Sequence, residues 1–143
     1  MTTSSVEDPR DLIPALGSVH VVIEVLAGRN LVAKDRNWKN QKTTSDVFVN
    51  VYHRMNGDKQ HIGSTEVQYK TLDPAWNQKL DLIVDGDDAN LRKGVDLVFE
   101  IYDRDDLSSD DFMGAVELHV DLLQSVTEDW YDVHTTAAAN LEC

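Results

Sequence analysis

Five aspartates are concentrated in nine residues of this 143-residue chain, in the segment DRDDLSSDD at residues 103–111. Each carboxylate raises the cost of ionising its neighbours, so such a segment either spreads into solvent or binds a cation. Calcium prefers oxygen ligands and takes about six to eight of them, from carboxylates, main-chain carbonyls and water. The segment is therefore a candidate site for a hard cation, with a solvated acidic loop as the alternative.

Other metal chemistries fit the same segment less well. An EF-hand loop beginning at Asp103 would need an oxygen ligand at its fifth position, Gly at its sixth and Glu at its twelfth. The chain instead has Leu107, Ser108 and Gly114 there. Zinc would require His or Cys ligands, which the segment lacks. A metal-dependent transferase would also need a substrate pocket, and the sequence has no Gly-rich phosphate loop, so no enzymatic activity is predicted.

The elements that must position these aspartates are short strands. Alternation of apolar and polar residues predicts seven of them, at residues 19–25, 47–51, 61–69, 80–84, 95–101, 112–120 and 129–133. Asn56-Gly57 predicts a tight hairpin turn between the second and third. Strands with one polar face predict antiparallel sheets packed as a sandwich, with an eighth strand supplied before Val19 or after Val133. The aspartate segment follows the fifth strand directly, at one end of this sandwich.

Length and composition limit the function further. The length predicts one domain at residues 17–134, after a polar leader or linker (1–16) and before a tail (135–143). The net charge of −13 argues against nucleic acid and against a bare anionic membrane as partners. Contact with phosphate would first require positive charge supplied locally. The single cysteine, Cys143, agrees with a reducing compartment or simply with a small domain. The sequence contains no run of about 20 apolar residues, so no membrane span is predicted.

Four motifs, in order along the chain, resemble those of the C2 domain family. VAKD at residues 32–35 resembles the entry into the first calcium loop, and SDVFVNV at 45–51 resembles the family's SDPYVxV. TLDPAWN at 71–77 resembles TxNPxWN. LVFEIYDRD at 97–105, followed by DFMG at 111–114, matches the third-loop signature. The resemblance covers residues 17–133 and implies an all-β, eight-stranded antiparallel sandwich of the C2-like Greek-key type, with calcium loops at one end.

The resemblance also implies the ligands of about two or three calcium ions. Five aspartates occupy the family's ligand positions: Asp35, Asp46, Asp103, Asp105 and Asp111. Main-chain carbonyls of Lys34 and Arg104 are expected beside them, and Ser108 falls where some members place a ligand for an additional ion. The sequence departs from the family at Val47, which replaces a proline, and in a long first loop, where ten residues separate Asp35 from Asp46.

The implied function is calcium-dependent binding to anionic phospholipid, such as phosphatidylserine, by a monomeric cytoplasmic domain that becomes peripheral to the membrane. Trp38 lies among three basic residues and no acids, so Trp38, Lys39 and Leu107 are the expected membrane contacts. The alternative is a calcium-regulated protein-interaction or scaffold domain without direct lipid binding. The family's Lys-rich phosphoinositide surface is not predicted, because basic residues are sparse there: His53, Arg54, Lys59, His61, Lys70 and Lys79.

Overall fold

The structure, a computed structural model, describes residues 18–31, 45–86, 92–105, 109–123, 128–134 and 140–142. Most of these residues belong to β-strands. In chain order the strands are β1 (Ser18–Arg29), β2 (Ser45–Met55), β3 (Asp58–Ser64), β4 (Gln68–Thr71), β5 (Ala75–Asp85), β6 (Val95–Asp103), β7 (Asp111–Val120), β8 (Trp130–Asp132) and β9 (Asn140–Glu142).

The strands form two antiparallel sheets. The first has the order β5-β1-β9-β8, and the second has the order β3-β2-β6-β7. β4 also pairs with β2, on the side that β3 occupies, and continues the line of β3 after an interruption at residues 65–67. Counted by position, each sheet has four strands, which confirms the predicted eight-stranded antiparallel sandwich.

The core lies between the sheets and follows the alternation in the sequence. Val47, Val49 and Val51 of β2 are fully buried, as are Phe99 and Ile101 of the neighbouring β6. The first sheet contributes Ile23, Val25, Trp76 and Leu82 to the same cluster. Burying a side chain of this size contributes about 1.5–3 kcal/mol, so this shared core holds the two sheets together.

The segment predicted as a third strand, residues 61–69, is divided between β3 and β4. Thr65 explains the division, because its hydroxyl accepts the amide hydrogen of Val49 and its own amide donates to the Val49 carbonyl, both at 2.9 Å. A side-chain oxygen thus replaces one main-chain partner of the ladder. The predicted hairpin is confirmed: Asn56 and Gly57 have φ angles of 51° and 89°, as a two-residue turn of this hand requires.

Residues 135–143, interpreted as a tail, contain β9. This strand pairs with β1 on one side and with β8 on the other. It is the eighth strand that the sequence left open, and it follows Val133 rather than preceding Val19. β1 ends at Arg29 and leads into the predicted first loop. Leu31, two residues after the end of β1, is buried.

Candidate metal centre

Strand register brings three of the predicted aspartates to one end of the sandwich. β2 begins beside Asp46, β6 ends at Asp103 and β7 begins at Asp111. Asp103 is the register partner of Asp111 and also of Val47, the residue after Asp46. Asp105 lies two residues beyond the end of β6. We call this end, marked by Asp46, Asp103 and Asp111, the loop end.

Main-chain hydrogen bonds fix Asp46 against its neighbours on both sides. The Asp46 amide donates to Asp103 Oδ1 at 2.9 Å, and the Arg104 amide donates to the Asp46 carbonyl at 2.8 Å. From the opposite side, the Lys70 amide donates to Asp46 Oδ1 at 2.8 Å. Lys70 has a φ of 54°, which turns its amide out of the regular ladder towards this carboxylate. The two carboxylates are therefore held in place before any cation arrives.

The surroundings of Asp103 point most directly to a cation. The residue is only 2% exposed, and its Oδ2 atom has no hydrogen-bond partner among the described residues. The hydroxyl of Ser45, also 2% exposed, likewise has no hydrogen-bond partner among the described residues. A buried carboxylate oxygen without a partner is costly, and a cation is the partner that compensates its charge. Oxygen-only donors of this kind fit calcium and do not fit zinc.

The described residues alone do not complete a metal centre. Within the described residues, no three His, Cys, Asp or Glu side chains lie close enough together to hold a metal ion. Six of the predicted site residues lie outside the described residues: Lys34, Asp35, Trp38, Lys39, Leu107 and Ser108. What the structure shows is the contact between Asp46 and Asp103, with Asp111 as the register partner of Asp103 on the next strand.

Asp110, which is not among the predicted ligands, contacts the main chain of the third loop. Asp110 Oδ1 accepts the amide hydrogen of Asp105 at 2.9 Å, so it fixes the chain just after Arg104. This contact and the Lys70–Asp46 contact were not predicted. The clustering of acidic residues in the sequence does not show which of them accept hydrogen bonds from main-chain amides.

The TLDPAWN motif positions the start of the first loop. The amide of Leu31 donates to the Leu72 carbonyl at 3.1 Å, and the amide of Asn30 donates to Asp73 Oδ1 at 2.8 Å. Trp76 is buried, and its indole N–H donates to the Val47 carbonyl at 3.3 Å. The motif therefore joins the end of β1 to the beginning of β2, the two elements between which the predicted loop runs.

Comparison with known proteins agrees with this arrangement. Residues 19–133 match the family model described as C2 domain. The chain belongs to the C2 domain family. The matched range lies within the predicted domain at residues 17–134 and includes all five predicted ligand aspartates.

Curated relatives of this C2 domain are much longer proteins. Ras GTPase-activating protein 4 of Mus musculus is 32% identical over 125 residues, which are 85% of this chain and 14% of the relative. Synaptotagmin-3 of Mus musculus is 34% identical over 102 residues, 71% of this chain and 16% of the relative. The chain thus spans less than a fifth of either protein. The name of the first states a GTPase-activating activity, and the name of the second does not. The likeness shows the domain and not a whole-protein activity.

Solved structures show the same fold. A C2 domain of plant Extended Synaptotagmin 1 superimposes with a TM-score of 0.59 at 23% identity, covering 88% of this chain and 89% of that one. The calcium-bound pair of C2 domains of Extended-Synaptotagmin 2 gives a TM-score of 0.65 at 21% identity, covering 88% of this chain and 43% of that one. Within the described residues of this C2 domain, no helix is long and apolar enough to cross a membrane.

Three basic side chains on the outer face of the second sheet each pair with an acidic side chain. Arg54 Nη1 donates to Glu117 Oε1 at 2.8 Å, and Lys59 donates to Glu100. His119 Nδ1 lies 2.7 Å from Asp96 Oδ1. We call the surface formed by these six side chains the charged face. The sequence favoured an ordinary solvated face over a basic patch at this surface. Because each of its basic side chains pairs with an acid, the charged face carries little net positive charge.

Glu100 of the charged face and the neighbouring His53 both have lowered pKa values. Burial alone would raise the pKa of Glu100, but hydrogen bonds from Lys59 and Tyr102 and the positive charges of Lys59 and Arg54 lower it overall. Burial lowers the pKa of His53, and the charge of Asp96 offsets part of this effect. The sequence grouped His53 with the surface cations, whereas the structure buries it at 7% exposure, on the inward-facing positions of β2.

Proposed function

We propose that this C2 domain binds anionic phospholipid membranes in a calcium-dependent manner and serves as a non-catalytic membrane-targeting module. The observation that carries the proposal is the buried Asp103, whose Oδ2 atom has no partner among the described residues while its Oδ1 atom holds Asp46 in place. Membership of the C2 family supports it, as does the calcium named for Extended-Synaptotagmin 2.

The proposed ligands come from three loops at the loop end. Carboxylates of Asp35, Asp46, Asp103, Asp105 and Asp111 would hold about two or three calcium ions, with the carbonyls of Lys34 and Arg104 and the hydroxyl of Ser108. Calcium would supply positive charge and open coordination positions, which lipid phosphate or carboxylate oxygens can fill. Without a cation, this end of a domain with net charge −13 repels anionic lipid. The aspartates thus act as an electrostatic switch.

Membrane contact is proposed for the tips of the first and third loops. Trp38 would lie at the interface between headgroups and acyl chains, Lys39 would contact anionic headgroups, and Leu107 would insert shallowly. We propose a monomeric cytoplasmic domain that becomes peripheral to the membrane when calcium rises, with phosphatidylserine as a suitable lipid. Nucleic acid is not an expected partner, because both molecules carry strong negative charge.

Vesicle co-sedimentation tests the proposal. The domain is mixed with phosphatidylserine–phosphatidylcholine vesicles or phosphatidylcholine vesicles, each in calcium and in chelator. We expect binding only with calcium and anionic lipid, and loss of that binding in Asp103→Asn. Asp96→Asn is the matched control, because Asp96 lies on the same strand but at the other end and pairs with His119. Binding that persists in chelator would contradict the proposal.

A further variant tests the loop-tip contact. Trp38→Ala should weaken vesicle binding several-fold and leave calcium affinity in solution unchanged, because Trp38 is expected to contact lipid and not the ion. Isothermal titration with calcium provides the second measurement. Unchanged vesicle binding would remove Trp38 from the proposed contact.

The second candidate is a calcium-regulated protein-interaction or scaffold domain. The net charge of −13 favours it, because the rest of the surface opposes an anionic bilayer within a Debye length of about 8 Å. Calcium binding in solution, combined with no binding to either vesicle, would select this candidate over membrane targeting.

A further inference from the structure

Tyr69 differs from the other three tyrosines of the chain in its exposure. It lies on β4 and is 63% exposed, whereas Tyr52, Tyr102 and Tyr131 are all half-buried. The Tyr102 hydroxyl donates to Glu100 Oε1 at 2.8 Å, and the Tyr52 ring lies beneath the Lys59 ammonium at 4.7 Å. Tyr69 is therefore the tyrosine whose hydroxyl an enzyme can reach most directly.

The strand that carries Tyr69 is short and irregular. β4 has four residues and pairs with β2 at Ser45↔Thr71 and Val47↔Gln68. Register shifts between these pairs, so Tyr69 and Lys70 together face the single residue Asp46. Among the described residues, β4 pairs with β2 alone. Lys70 interrupts the extended backbone with a φ of 54°. A short strand interrupted in this way opens at little cost, and the opened segment can extend against a partner strand.

A guanidinium group already lies beside the Tyr69 hydroxyl. Arg104 Nη1 donates to Tyr69 Oη at 3.3 Å, and Arg104 is itself exposed. Arginine binds phosphate through two parallel N–H···O bonds, more strongly than it binds a neutral hydroxyl. A phosphate on this oxygen would therefore find a charged partner without a change of fold.

We propose that Tyr69 is a phosphorylation site whose phosphate is bound by Arg104. A protein tyrosine kinase with ATP would supply the group: the bond from Tyr69 Oη to the γ-phosphorus forms, the bond from that phosphorus to the β-phosphate oxygen breaks, ADP leaves, and the hydroxyl proton passes to the kinase. The phosphotyrosine adds about 1.5 to 2 negative charges at neutral pH.

Modification at this position adjoins the candidate metal centre. The amide of Lys70, the next residue, donates to Asp46 Oδ1, and the amide of Arg104 donates to the Asp46 carbonyl. The regulatory consequence rests on the proposed function. Added negative charge attracts calcium to the loop end but repels an anionic membrane, so calcium affinity in solution and vesicle binding should change in opposite directions. A distorted fold would instead lower both.

Locating the phosphate on the phosphorylated domain tests whether Tyr69 is the modified residue. The domain is incubated with a panel of purified protein tyrosine kinases and ATP, and the phosphate is located by tandem mass spectrometry. We expect Tyr69 to be the principal acceptor, Tyr69→Phe to lose most of the incorporation and Tyr52→Phe to keep it. Arg104→Gln should let a tyrosine phosphatase remove the group several-fold faster. Incorporation mainly at the other tyrosines, or none with any kinase, would overturn the proposal.

Two binding measurements on the phosphorylated domain test the consequence. Coulomb's law over about one Debye length gives a rise in calcium affinity of roughly twofold to tenfold, measured by isothermal titration. Binding to phosphatidylserine vesicles at saturating calcium should fall by a similar factor. Two affinities that fall together, or that do not change, would overturn the regulatory role. If the unmodified domain binds no calcium, the proposed function fails, and the mapping still decides the phosphorylation site.

Discussion

The acidic side chains of the loop end and those of the charged face are compensated in different ways. On the charged face, Glu117, Glu100 and Asp96 each accept a hydrogen bond from a basic side chain. At the loop end, the described contacts of Asp46 and of Asp103 Oδ1 come from main-chain amides, and Asp103 Oδ2 has none. An amide orients a carboxylate without cancelling its charge.

The difference shows how acidic side chains can serve either to join strands or to form a candidate cation site. The guanidinium of Arg54 and the ammonium of Lys59 are permanent counter-charges, so Glu117 and Glu100 hold strands of one sheet together and have little charge left for an outside ion. The amides that orient Asp46 and Asp103 bring no opposite charge, so a cation is the partner that would compensate these carboxylates. The arrangement of partners, and not the number of acids, separates a structural face from a candidate metal centre.

The largest expected difference between the two regions is in calcium-dependent stability, which should depend on the loop end and not on the charged face. At about 100 times its dissociation constant, a ligand stabilises a one-site protein by about 2.7 kcal/mol, which raises the melting temperature of a domain this size by roughly 10 °C. We expect Asp103→Asn to remove this shift and Asp96→Asn to keep it. Calorimetry in calcium and in chelator measures both, and equal shifts in the two variants would break the comparison.

Removing a permanent counter-charge should have the next largest effect. Lys59→Ala leaves Glu100, whose side chain is 12% exposed, without its ammonium partner. We expect the free energy of unfolding to fall by about 1–3 kcal/mol. Lys79→Ala, at an exposed position of β5, is the control and should stay within about 0.5 kcal/mol of wild type. Urea denaturation measures each variant, and calcium should not restore the loss.

The Lys59→Ala effect should also depend on pH. Because the pKa of Glu100 is lowered in the folded state, its contribution is present above the usual value of 4.5 and is lost as pH falls through the lowered one. The difference between wild type and Lys59→Ala should therefore shrink in acid. A difference that stays constant down to acidic pH would show that Lys59 stabilises by packing alone.

His53 should give the smallest effect. Its pKa is lowered by burial, so the folded state favours the neutral ring, and the stability is present above pH 6.5 and lost as pH falls below it. His53→Gln should flatten the loss of unfolding free energy between about pH 7.5 and 5.5. His61→Gln, at an exposed position, should not. Identical slopes in all three proteins would show that Asp96 compensates His53 fully.

The sequence predicted most strands because burial of one face leaves a period of two. Val47, Val49 and Val51 show that period without interruption, and all three are fully buried. The three-residue β9 has too few residues to show any period, and the break at Thr65 depends on a side-chain hydroxyl that replaces a main-chain group. Both features need knowledge of the neighbouring strand.

The candidate site was predicted in part for a related reason. Motif positions placed Asp46, Asp103 and Asp111 at the ends of strands, and the register brings them to one end. The positions of Asp35 and of the loop-tip residues stay predictions, since they lie outside the described residues. The pairing of Lys59 with Glu100 could not be predicted, because it joins residues 41 positions apart through strand register.

The position of β9 sets an order for folding during synthesis. β8 is connected to the first sheet through β9, and β9 pairs with β1, so Arg29 must meet Asn140 before that sheet is complete. The strands of the second sheet all leave the ribosome earlier. The ends of β2, β6 and β7 that carry Asp46, Asp103 and Asp111 can therefore assemble while the first sheet still has an open edge at β1, a surface on which nascent chains are prone to mispair.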